Sequence, residues 1–422
     1  MLDRTIAPEF RSIDNIKLIQ SEKRYLSNQT PLFLIKDDNH PLIRMEWVIR
    51  TGKREQTLPG QAYFTVKMLQ EGTSNYSSSE IAETISGYGA FFEASAGYDR
   101  TVFTLYTLDR FLPNLLPLVH EIIHQPTFDE GELSKLQQIT EQNIRLNLEK
   151  TSHLAGKAFR KALFGVDCYY ATSLELSDIE HITIPKLQAY HKTLLNSSSE
   201  CFIVGNVSEE AIKQIDSLFG TSSLTLNTVA SPTITLPNNN SEIIKVEKAD
   251  SLQATVKLGT TVMSRASDEF MPFIILNEIF GGYFGSRLMS NIREDKGYTY
   301  GIRSSYVAHE NQAFLAVSTD VKSENSYDTL REIEKEAKIL QTELVSEDEL
   351  HTVKNYMLGS FCGSVGNVFD QMDKFKLIHY SHLDYTFFDK YIDAIKSISA
   401  QQIRHSAEKN LNYNKMVKVI AG

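Results

Sequence analysis

The chain has 422 residues, room for two or three domains at roughly 100–200 residues each. Hydrophobic residues make up 41% and charged residues 23%, which excludes disordered and collagen-like classes. The 43 Lys and Arg against 53 Asp and Glu give a net charge of -10 and argue against nucleic acid as a partner, since that affinity rests on basic patches. No apolar run reaches the ~20 residues of a membrane span. The best candidate, residues 270–280, is interrupted by Asn277 and Glu278. Residues 1–10 contain no apolar signal core, so the expected location is cytoplasmic, although a leader trimmed ahead of residue 1 would leave no trace. Cys168, Cys201 and Cys362 are widely spaced and form no CxxC pair, which speaks against a disulfide framework or a cysteine-rich zinc site.

In chain order, a strand-like run at 43–50 leads to a helical run at 60–70 and a β-rich stretch at 91–108. That stretch reads as core strand. An amphipathic helix follows. A second helix, over 133–147, opens with the capping pair Asp129 and Glu132, whose carboxylates suit the free amides of a first turn. The apolar run CFIVGNV from Cys201 closes this half. Residues 221–242, rich in Ser, Thr, Asn and Pro, read as a linker. The pattern then repeats: a strand-like run at 254–263, a helical run at 271–280, β-rich 299–319, a helix at 323–342, a helix capped by Ser346 with Glu349, and a last apolar strand from Met416. The charges of the 323–342 helix read as a solvated face. Strands and helices mix without strict βαβ alternation, so the expected class is α+β. The expected division is 1–220, linker 221–242, and 243–422.

Two motifs carry the functional reading. Residues 60–73, GQAYFTVKMLQEGT, resemble the pitrilysin/insulinase metallopeptidases, with their frame G-x-A-H-x-x-E-H-M-L-x-x-G-T. Gly60, Ala62, Met68, Leu69, Gly72 and Thr73 match it. The resemblance is to the short, two-domain type and covers essentially the whole chain. It implies two homologous duplicated domains, each a mainly antiparallel six-strand-like sheet packed with helices, facing across a cleft. In the family two His and a distant Glu bind zinc, and the motif Glu serves as base. Here those positions read Tyr63, Val66 and Lys67, and the family spacing places the distant ligand at Asn143. Val66 has no donor, Lys67 repels a metal, and Tyr63 and Asn143 are poor ligands, so no metal is expected there.

Residues 280–303, FGGYFGSRLMSNIREDKGYTYGIR, keep the family's second-domain pattern through Gly281, Gly282, Ser286, Arg287, Leu288, Ile292, Arg293, Glu294, Gly297 and Tyr300. The resemblance implies that Arg293 and Tyr300 hold the substrate backbone and stabilise the developing oxyanion. The chain is thus expected to be the non-zinc subunit of a heteromeric peptidase, inactive alone. Its expected partner is a homologous zinc-bearing subunit, with a homodimer in the partner's absence. The expected substrate is a peptide, and the zinc belongs to the partner. An inert scaffold or peptide-binding protein with the same fold is the first alternative. The second is an independent zincin through His120-Glu121-x-x-His124, two His at i and i+4 on one helical face. Against that stand an apolar stripe that leaves both His on the polar side, and the early stop at Pro126. His379 and His382 read as a helix-end surface.

Overall fold

The structure is a computed structural model that describes Thr5 and residues 16–221, 234–237 and 242–422. Residues 222–233 and 238–241 of the expected linker lie outside the described residues. The first half supplies β1 (Glu22–Tyr25), β2 (Pro31–Lys36), β3 (Leu42–Ile49), α1 (Gln61–Met68), α2 (Ser78–Gly87), β4 (Phe91–Ala96) and β5 (Thr101–Leu108). It continues with α3 (Leu112–His124), α4 (Glu130–Leu148), α5 (Thr151–Phe164), α6 (Leu176–Ile179), α7 (Ile184–Leu195), β6 (Ser199–Gly205) and α8 (Glu209–Phe219). The second half supplies β7 (Ile243–Val246), β8 (Gln253–Val262), α9 (Phe270–Asn277), β9 (Ile302–Ala308) and β10 (Ala313–Lys322). After these come α10 (Ser326–Thr342), α11 (Glu347–Gly363), α12 (Val368–Tyr380), α13 (Thr386–Ser397), α14 (Ala400–Asn410) and β11 (Val417–Ala421).

The sheets run β1-β2-β6-β3-β5-β4 and β7-β11-β8-β10-β9. Leaving out β1, the orders coincide strand for strand. β2 pairs with β6 in parallel, as β7 does with β11, and the other neighbours are antiparallel. The architecture is therefore α+β in two halves of one topology. Among the described residues the second sheet has five strands rather than six. The stretch 91–108 is two strands rather than core throughout: β4 pairs only with β5 and forms an edge.

Strand periodicity decides what each face buries, because alternate side chains point to opposite sides. Leu32, Leu34, Cys201 and Ile203 face the first half's own helices. Phe33, Ile35, Phe202 and Val204 face the other way and pack on Met372 and Phe375 of α12 and Phe387 and Phe388 of α13. The second sheet does the reverse. Val256, Leu258 and Leu315 face its own helices. Phe314, Ala316, Val417 and Val419 pack on Ala155, Phe159 and Leu163 of α5. The break at 221–242 thus separates the sheets in sequence, while each half places helical cover on the other's sheet. Each such Phe contributes about 1.5–3 kcal/mol on burial, so the exchange ties the halves firmly.

Charged contacts reinforce the junction. Arg44 and Glu46 on β3 are 5% and 7% exposed. Arg44 Nη2 lies 3.0 Å from Asp373 Oδ1 and Lys376 Nζ lies 2.5 Å from Glu46 Oε2, so both acids and both bases are matched across the halves. Matching matters, because removing one partner of a buried pair is strongly destabilising.

Candidate functional site

The degenerate zinc frame lies on α1. Gly60 starts this helix at φ +87, a left-handed conformation that favours glycine. The Gln61 side chain fixes the start by accepting the Thr57 N–H (2.8 Å) and donating to Lys186 O (2.8 Å). α1 packs against α4, α7 and β4. Val66 is 1% exposed within the first core. Tyr63 packs on the same core and meets Phe64 edge-on at 5.4 Å. Lys67 is half-buried, and Asn143 is exposed on α4. The four positions hold no carboxylate, imidazole or thiolate. Among the described residues, no group of three or more His, Cys, Asp or Glu is placed to hold a metal. The side chains present at α1 do not fit zinc.

The second motif is more than a carrier of Arg293 and Tyr300. It builds two π-helical turns, Glu278–Gly282 and Met289–Asp295. Gly281 lets the first turn lie against β9, since a Cβ there would stand 2.7 Å from Ser304 Cβ. Leu288 and Ile292 are fully buried. Arg287 makes a two-pronged ion pair with Glu349 of α11, 2.9 Å at each prong. Burial would lower the Arg287 pKa, but Glu349 together with Glu336 and Glu343 outweighs it and the net shift is upward. Asn291 donates through Nδ2 to Glu336 (2.6 Å) and Glu332 (3.0 Å) of α10. The α10 acids, which sequence alone assigns to a solvated face, therefore hold the turn that presents Arg293. A signal was available: Glu332 and Glu336 stand four apart on one face, close enough to share one partner, and Glu332 also meets Lys296 and Lys335 at 3.6 and 3.7 Å.

Arg293 emerges from this turn with its guanidinium 4.5 Å from the centroid of Phe284, and the Phe284 side chain is itself 64% exposed. Its nearest carboxylate is Glu294 at 3.8 Å. Tyr300, in the loop before β9, is 97% exposed. Both polar tips are thus available to something outside the chain. Among the described residues, no hydrogen bond, ion pair or ring contact joins them to Tyr63, Val66, Lys67 or Asn143.

The His120-Glu121-x-x-His124 string has a structural explanation. The two His do not lie on a polar face. Their rings stack at 4.1 Å and pack on Phe219 of α8, at 5.1 and 6.0 Å. His124 Nδ1 bonds the His120 carbonyl at 2.9 Å. Burial, with His120 beside it, pushes the His124 pKa down to about 4, and burial lowers that of His120. The Glu121 carboxylate accepts the Thr73 hydroxyl (2.6 Å) and the Asn75 N–H (3.0 Å), which binds the loop after α1. Nor is His379 a surface group. Its ring lies 4.7 Å from Phe33, and its Nε2 is 2.9 Å from Glu200 Oε1, an oxygen Arg50 also reaches at 2.9 Å.

The family model described as Insulinase (Peptidase family M16) matches residues 33–168, and that described as Peptidase M16 inactive domain matches 181–357. A Bacillus subtilis protein named as an uncharacterised zinc protease, YmxG, is 24% identical over 344 residues, covering 80% of this chain and 83% of its own. A Rickettsia bellii protein named as an uncharacterised zinc protease is 23% identical over 385 residues, covering 87% and 89%. Among solved structures, a peptidase M16 inactive domain from Pseudomonas fluorescens superposes with a TM-score of 0.84 at 22% identity, over 96% of this chain and 98% of that one. A Helicobacter pylori protease superposes at 0.86 with 16% identity, over 96% and 100%. At these identities the structures speak for the fold alone.

Proposed function

The chain belongs to the insulinase (M16) peptidase family, and from that premise we propose that it is the non-zinc subunit of a heteromeric zinc metallopeptidase acting on peptides. The observation that carries this reading is the contrast between its two motifs. The α1 frame keeps its glycines and core residues while Val66 and Lys67 hold no ligand. The second motif keeps Arg293 and Tyr300, with Tyr300 exposed to 97%. A phenol that bonds nothing among the described residues, seven positions from a guanidinium that lies over an aromatic ring, suits a site completed by another molecule.

In such a site Arg293 offers a permanent charge in a forked donor and Tyr300 a second donor. Aimed at an oxygen on which negative charge develops, each stabilises the transition state more than the ground state. Edge strand β4 offers unpaired backbone groups for an extended peptide. The metal-bound chemistry would belong to the partner, a homologous zinc-bearing chain.

The test is reconstitution. The chain alone should cleave no peptide, and mixing it with a zinc-bearing homologue from the same cell should restore cleavage. In that complex Arg293→Ala and Tyr300→Phe should lower kcat, by ~10²-fold for the stronger, with assembly intact. Full activity of the double variant would instead identify the chain as scaffold.

A further inference from the structure

The common topology gives α1 a counterpart. α1 joins β3 to β4 and lies against β4; α9, extended by the Glu278–Gly282 turn, joins β8 to β9 and lies against β9. On α9 and this turn, Ile274, Asn277 and Glu278 stand at the i, i+3, i+4 spacing of Tyr63, Val66 and Lys67. In the second half Asn277 is buried and Ile274 and Glu278 are partly exposed on that face. It lines a cavity of about 310 Å³ bounded on the far side by α12 and α13. A cavity of this size accepts a small ligand or the end of a peptide.

Its chemistry is lopsided. Arg265, Arg303 and Lys374 all line it, and among the described residues none of them has a carboxylate within ion-pair distance. Arg265 lies over the Tyr306 ring at 5.1 Å and Lys374 over Phe361 at 5.7 Å, so aromatic faces hold these cations, while Asp370 and Asp373 act on Lys374 only from beyond ion-pair distance. Burial lowers the pKa of both. The one acid in the wall is Glu278. Among the described residues it makes no ion pair either, and burial raises its pKa against the charge of Arg303, so it carries its charge reluctantly. Phe387, Phe388 and Tyr391 supply an apolar wall. Partly buried cations without anions are costly, and a ligand anion is what removes that cost.

We propose that this cavity, between α9, β9 and the α12–α13 pair, binds a carboxylate carried on an apolar body. Arg265 and Lys374 would take the carboxylate, and the aromatic wall the apolar part. A peptide ending in a free carboxylate behind a large apolar residue has this chemistry, as has a small arylalkanoic acid. The site does not depend on the two-chain reading above, since it lies within this chain and can be assayed without a partner.

The experiment is calorimetric titration of the full chain with N-acetyl-Leu-Phe as the free acid, its C-terminal amide, 3-phenylpropionate and inorganic phosphate. The free acid should bind, and the amide at least about tenfold more weakly, because a charge-assisted contact is lost. Arg265→Gln and Lys374→Gln should each weaken the acid by about tenfold, with circular dichroism confirming the fold. Dipeptide binding tighter than that of 3-phenylpropionate identifies a peptide terminus as the occupant; equal binding identifies a small aromatic acid. Acid and amide binding alike, unchanged binding in both variants, phosphate binding as well as the dipeptide, or no heat with any ligand would each overturn the proposal. The acid-to-amide comparison needs no variant, so it stands even if a substitution unfolds the chain.

Discussion

Val66 shows how completely the first motif has been absorbed into packing. It fills a core position at 1% exposure, where the family frame has a glutamate. Val66→Glu should therefore destabilise the chain by on the order of 3 kcal/mol, since the carboxylate would be buried without a partner; denaturant unfolding measures this, and an unchanged midpoint would show that the position faces water. His124 makes a second prediction, in pH. Its folded pKa of about 4 lies below its ordinary value, so the unfolded chain binds the proton more readily. Its contribution is fully present above about pH 6.5 and is lost as pH falls towards 4, at most about 3 kcal/mol in all. The melting temperature should drop between pH 7.5 and 5, and His124→Leu should flatten part of that drop; parallel profiles would refute it. Residues of this kind separate what sequence reveals from what it hides. The caps Asp129 and Ser346 are legible because their bonds close within three residues. The work of Glu121 and His379 is not, because their partners lie 48 and 179 positions away.

At the level of elements, the second motif is a brace. Arg287 and Glu349 are 62 positions apart and join the motif to α11. A double-mutant cycle with Arg287→Met and Glu349→Gln should show a coupling of about 1–2 kcal/mol in stability; additive effects would mean that the pair is incidental. The sequence pattern places β3 to β6 and β8 to β11 with α1, α3, α4 and α9 to α11, since periodicity and capping are local properties, and it leaves β1, β2, β7 and the other helices unread. It misreads β4 as core because alternation shows which face is buried, not whether a neighbouring strand exists. It misreads α10 for a related reason: an acidic face looks solvated until Asn291 is found against it.

For the whole molecule, the exchange of helices predicts that neither half folds alone. Residues 1–220 would expose Phe33, Phe202 and Val204, and residues 243–422 would expose Phe314 and Val419. Each fragment should be aggregated or lack fixed tertiary structure, and co-expression should recover the fold; a cooperative melt from either fragment would contradict this. The two-sided apolar run of β6 announces that both faces are covered. It cannot announce that the second cover comes from α12 and α13.

That mutual cover also limits how the protein can move. A clamshell opening between the halves would have to strip α5 from one sheet and α12 with α13 from the other in the same event, which amounts to unfolding. The slowest amide protons of β6 and β11 should then exchange at one shared rate. Breathing must be confined to loops and edges, and the two halves of this chain should move as one body.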